Sequence, residues 1–158
     1  MNNKPFLDYL NLLNHLCTEL EHLSELAKQK TKAVRQDDLT ALDQVMRQEQ
    51  ASTLAFRGLE QKQAALLDAT GLKGVPLSSL AEKFPSELRL QARQQVEQLQ
   101  TKYKLYCSCS EVARNTLECN LHQIEKILAT AAPQSGGTPG YQGQSPEPPS
   151  SMRTNFWA

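Results

Sequence analysis

SELRLQARQQVEQLQTKYKLYCSCSEVARNTLECNLHQIEKILATAA, residues 86–132, decides the fold. It runs from a capping serine, Ser86 after Pro85, to a stop at Pro133, with no Gly or Pro between. Apolar or near-apolar positions step by three and four: Leu88, Ala92, Val96, Leu99, Tyr103, Tyr106, Ser110, Ala113, Leu117, Asn120, Ile124, Ile127 and Ala131. That heptad seam belongs to a helix that packs along its length on other helices. At roughly 1.5 Å per residue, about 46 residues make a rod of about 70 Å. The rest of the chain must supply partners for its seam or leave part of it free.

The 158 residues suffice for one domain. Aromatics are only 6%, and Leu, Gln, Ala, Glu, Ser and Lys dominate, a composition of long helices rather than sheets. Lys plus Arg equals Asp plus Glu at 17 each, so no net basic field draws in nucleic acid or anionic lipid. The N-terminal stretch carries Asp8, Asn11, Asn14 and His15, unlike the apolar core of a secretion signal. Its apolar runs are too short to span a membrane. Four cysteines without an export signal read as reduced thiols, and the expected location is the cytoplasm.

Asn2 or Asn3 can cap a first helix, with Pro5 in its first turn. Its seam is Phe6, Tyr9, Leu13, Leu16, Leu20, Leu23, Ala27, Lys30 and Val34, and Leu10, Leu12 and Leu26 widen the stripe to suit a bundle of three or more helices. Gln36-Asp37-Asp38 is a break that permits a kink or a tight reversal. A second helix carries Leu39, Leu42, Val45, Met46, Leu54, Phe56, Leu59, Leu66 and Leu67 and ends at Gly71. Gly74 and Pro76 mark a turn, and Ser79 with Glu82 fits a capping box for a short helix that plugs the bundle end with Leu77, Leu80, Ala81 and Phe84. Residues 1–132 thus form a helical domain, and the Gly-, Pro- and Ser-rich residues 133–158 a disordered tail. The fold class is all-α: an elongated antiparallel bundle or coiled coil of three main helices plus a short connecting helix.

Two helices of about 30 residues reach about 45 Å, so an up-down-up arrangement leaves about 25 Å of the third uncovered. The seam nevertheless continues through Leu117, Ile124 and Ile127. An apolar stripe without an intramolecular partner is an interaction site.

Catalytic chemistry finds no footing. Cys107 and Cys109 point about 200° apart on a helix, and no CxxC occurs, so neither a metal nor a redox site is expected. His15 and His22 lie about 10 Å apart along the axis, too far to chelate jointly, and with His122 they read as solvated-face residues. No phosphate loop, HExxH or GxSxG is present, so no enzyme and no cofactor are expected. Asn120 in the seam either sets register or sits at a frayed edge. Lys30 and Glu49 read as bundle-edge residues. Phe156 and Trp157 offer either a docking motif, a latch over the exposed seam, or an unselected tail end.

The arrangement resembles the FlgN family of flagellar export chaperones. The likeness rests on the first-helix leucines, DDLTAL at 37–42, QEQ at 48–50 with LEQKQAALL at 59–67, Asn115 and Asn120 within RNTLECNL at 114–121, and GYQG at 140–143. Cysteines around Cys107 to Cys119 are a departure from the family pattern. The resemblance implies a cytosolic chaperone that binds the C-terminal helices of hook-associated (hook-filament junction) proteins, keeps them unpolymerised and delivers them to the flagellar type III export apparatus. It places partner binding at Leu117, Leu121, Ile124, Ile127 and Leu128, flanked by Asn115 and Asn120, which is the segment that helix lengths leave unpaired. The rival readings are a self-associating coiled-coil scaffold, with Asn120 fixing register in a homodimer, and a regulatory adaptor.

Overall fold

The structure is a computed structural model that describes residues 2–131. The expected tail, with Phe156 and Trp157, lies outside the described residues. Four α-helices follow in order: α1 (Lys4–Arg35), α2 (Leu39–Thr70), α3 (Leu77–Leu80) and α4 (Arg89–Ala131), with a 3-10 turn at Ala81–Lys83 and no strand among the described residues. The protein is all-α, as its periodicity requires.

The central helix is α1. It packs on both α2 and α4, while α2 and α4 approach each other only marginally. A helix held from two sides needs a wide apolar face, and α1 has one. Tyr9, Leu10, Leu12, Leu13, Leu16, Leu20, Leu23 and Leu26 are all buried. Each such leucine contributes roughly 1.5–3 kcal/mol relative to exposure.

The break after α1 is a reversal, not a kink. Asp38 N–H bonds Ala33 C=O at 3.0 Å and Asp37 N–H bonds Val34 C=O at 3.2 Å, the paired bonds of a Schellman motif. Asp37 takes the left-handed position, φ 54°, where glycine is the usual occupant. The Asp38 carboxylate then accepts from Ala41 N–H at 3.0 Å and caps α2. Gly71, φ 72°, closes α2 in the same way.

The buried face of α2 matches expectation in part: Val45 and Phe56 are buried and Leu59, Leu66 and Leu67 pack against the core, but three expected residues turn outward. Leu39 and Leu54 are 77% and 66% exposed, and Met46 also faces solvent. The helix's fully buried residues are Val45, Ser52, Phe56, Glu60 and Gln63. Their steps of seven, four, four and three are helical, so geometry rather than hydrophobicity selects them. Lys30 and Glu49, expected at bundle edges, pair with each other at 3.2 Å across α1 and α2.

The connection plugs the end of the bundle with Leu77, Leu80, Ala81 and Phe84, all buried. Phe84 meets the rings of Phe6 and Tyr9 edge-on, with centroids 5.0 and 5.9 Å away. The capping box does not form. The helix starts directly after Pro76, and Ser79 turns its hydroxyl back to the Pro76 carbonyl at 3.3 Å. Residues 86–88 form a turn, so α4 begins at Arg89 rather than beside Ser86. Nor does Asn3 cap α1 by its side chain; Asn2 Oδ1 accepts from Lys4 N–H at 3.2 Å instead.

Candidate partner-binding surface

Register places the surface. Tyr9 meets Gln63 and Lys30 meets Glu49, so α2 runs antiparallel to α1. Phe6 meets Phe84, and Glu21 pairs with Lys102 at 2.8 Å, so α4 runs parallel to α1. Arg35, the last residue of α1, shares a cleft with Ser108, Cys109 and Val112 of α4. Beyond that level the cover thins: Ala113 is still buried and Leu117 and Asn120 half-buried, and from Leu121 to Thr130, about 15 Å of helix, every residue is exposed.

Ala92, Val96, Leu99, Tyr103 and Ala113 are the buried residues of α4. At about 100° per residue, Leu117, Leu121, Ile124 and Leu128 continue the same face. The face stays apolar where its cover ends. Leu117 and Asn120 are half-buried, and every residue from 121 to 130 is exposed. Leu121, Ile124, Ile127 and Leu128 are 45%, 45%, 64% and 59% exposed. Four large aliphatics within eight residues make an apolar ridge. Ile127 and Asn120 flank the stripe on one side. Asn115 is exposed and lies about 150° from the stripe's centre, so it is not gathered with the others.

Sequence reading missed the ground beside the end of α1. An open cleft of about 410 Å³ lies there, lined by Lys28, Thr31, Lys32, Arg35 and Gln36 from one side and Ser108, Cys109 and Val112 from the other. Only the register of two helices creates it. The available signal was the i, i+4, i+7 spacing of Lys28, Lys32 and Arg35.

Burial pushes the Cys17 thiol up, the Glu21 carboxylate adds to this, and Lys102 opposes it. Burial likewise raises the Tyr106 phenol, reinforced by Glu49. Cys17, Cys107, Cys109 and Cys119 are free thiols. Among the described residues no group of three or more His, Cys, Asp or Glu could hold a metal ion, and no helix is long and apolar enough to cross a membrane.

No curated protein and no solved structure matches the chain. A family model described as FlgN protein does, over residues 6–145. That span takes in all three long helices, including the solitary end of α4. The chain therefore belongs to the FlgN family, a family of flagellar export chaperones.

Proposed function

We propose that the chain captures hook-associated proteins, those of the hook-filament junction, by their C-terminal helices. It holds them unpolymerised and hands them to the flagellar type III export apparatus in the cytoplasm. One observation carries the reading: the core-facing stripe of α4 outruns its cover and leaves Leu121, Ile124 and Leu128 exposed, with Ile127 exposed beside them. A partner helix that lays its own apolar stripe there extends the bundle by one more helix pair. Ordering such a segment costs part of the contact free energy, so binding is moderate and reversible, as release for export demands. Leu117 and Asn120 form the inner edge of the seat. The chemistry needs no cofactor.

The test is light-scattering mass of the purified chain, alone and with a hook-filament junction subunit. A monomer that becomes a one-to-one complex is the expected result. A stable dimer indifferent to the subunit would sink this reading and favour a self-paired coiled-coil scaffold, in which the bare stripe covers its own copy.

A further inference from the structure

We propose that in the empty chain the ridge on α4 is covered by the chain's own Phe156 and Trp157, which fold back as a latch and leave when a partner helix arrives. The competition rests on the reading of the overhang as the capture surface, whereas the latch itself needs only the ridge and the residues that follow it.

Among the described residues, exposed large apolar side chains elsewhere stand at least seven residues apart along their helix, as Leu39, Met46 and Leu54 do on α2. Only Leu121, Ile124, Ile127 and Leu128 gather within eight residues. They are also the apolar group nearest the point where residues 132–158 leave α4, about 5 to 15 Å back along the axis from Ala131. Those later residues lie outside the described ones, and their sequence divides in two. Residues 133–151 hold five of the eight prolines, with Tyr141 as their one large apolar side chain. Met152, Phe156 and Trp157 then fall within six residues, and Trp157 is the chain's only tryptophan. A segment of this composition has no apolar face of its own on which to bury two rings.

Distance favours this occupant over a second copy. Phe156 stands 25 residues beyond Ala131. A Gly/Ser-rich chain of that length has a root-mean-square span of about 25–30 Å. The ridge lies within it, so tethering holds the rings there at a concentration on the order of mM. A second copy comes only at the concentration of the protein. A two-ring contact with a Kd of about 1 mM, negligible between separate molecules at μM, is then closed about half the time or more. Two rings cover only part of the ridge, so a partner helix that presents a full apolar stripe displaces them. Closed and captured states exclude one another, and the apparent affinity for the partner falls by the fraction of chains left open.

Trp157 is its own reporter. The experiment uses the full chain and a tryptophan-free peptide of the C-terminal helix of a hook-filament junction subunit. Indole emission of the free chain should be blue-shifted from that of a hydrated indole and independent of protein concentration. Leu121→Asp with Ile124→Asp should return it to the hydrated position with helicity unchanged, and saturating peptide should do the same to the parent chain. Phe156→Ala with Trp157→Ala should tighten peptide binding, read by calorimetry, about two- to tenfold. Hydrated emission in the free chain overturns the latch and leaves the capture surface standing. Blue-shifted emission that survives the ridge substitutions also overturns it, because the indole then lies elsewhere. Emission that moves to the blue as the protein is concentrated overturns it in favour of a second copy. Unchanged peptide affinity in the variant without the rings overturns the competition. Peptide bound by neither chain sinks the capture reading instead, and ridge-dependent emission would still establish the latch.

Discussion

Gln63 Nε2 donates a hydrogen bond to the Tyr9 hydroxyl at 3.1 Å, joining α1 to α2 inside the core. Both side chains are almost wholly buried. Burial pushes the Tyr9 phenol up to about 12, and the Gln63 bond opposes this only in part. The fold therefore demands the neutral phenol, while the unfolded chain ionises near an ordinary tyrosine value of about 10. Stability is intact below pH 10 and falls as pH rises toward 12, by about 2 kcal/mol from this group. Tyr106, also raised, pulls in the same direction. Tyr9→Phe should cost about 1 kcal/mol at neutral pH and flatten the alkaline limb. Urea midpoints measured from pH 7 to 12 check it, and an equally steep limb in the variant would refute it.

The α1–α2 reversal holds a non-glycine residue at positive φ. Asp37→Gly should raise stability by about 0.5–1 kcal/mol, because glycine reaches that conformation without the Cβ penalty. Next to it, Asp38→Ala should cost about 1 kcal/mol through loss of the cap on α2. Opposite shifts in melting temperature from adjacent substitutions would be hard to explain any other way.

Phe84 is the keystone of the bundle end, buried and ringed by Phe6 and Tyr9. Phe84→Ala should destabilise by about 3–5 kcal/mol. Leu54→Ala, equally drastic on paper, should change stability by less than about 0.5 kcal/mol, because Leu54 already faces solvent. Denaturant titration of the two variants tests whether burial rather than residue type sets the cost.

Leu121→Asp with Ile124→Asp should abolish subunit capture while leaving circular dichroism and melting temperature nearly unchanged. Both residues are exposed, so no core contact is lost. A fall in melting temperature matching the Phe84 variant would place them in the core and remove the proposed seat.

Much of this was readable beforehand. Leucines three and four apart from Leu13 to Leu26 announce a core helix, and the count of residues in each helix announces an overhang on α4. The α2 face was readable only in part: Val45, Phe56, Leu59, Leu66 and Leu67 do pack inward, but an apolar-letter pattern also counts Leu39 and Leu54 and skips Ser52, Glu60 and Gln63. Of these, Gln63 finds a partner for its amide nitrogen in the Tyr9 hydroxyl. Reversal and kink were indistinguishable at 36–38 because Asp, unlike Gly, does not advertise a left-handed residue. Neither capping serine acted as a cap, since Pro76 and the turn at 86–88 set where those helices begin. The candidate seat was legible as a stripe, and the cleft was not, since no linear pattern records which turn of α4 faces Arg35.

The solitary end of α4 also has a dynamic consequence. The fully exposed stretch from Leu121 to Thr130 is shorter than the roughly 12–15 residues at which an isolated helix becomes even marginal in water. Its helicity is propagated from the packed turns before Ala113 and is not secured by tertiary contacts of its own. Amide protons from about Leu121 onward should exchange with solvent by fraying, at an opening free energy near zero, while those around Leu99 wait for global unfolding. The overhang is thus a reversible ending to the helix that should be open to proteases, and a helix laid along it should protect it.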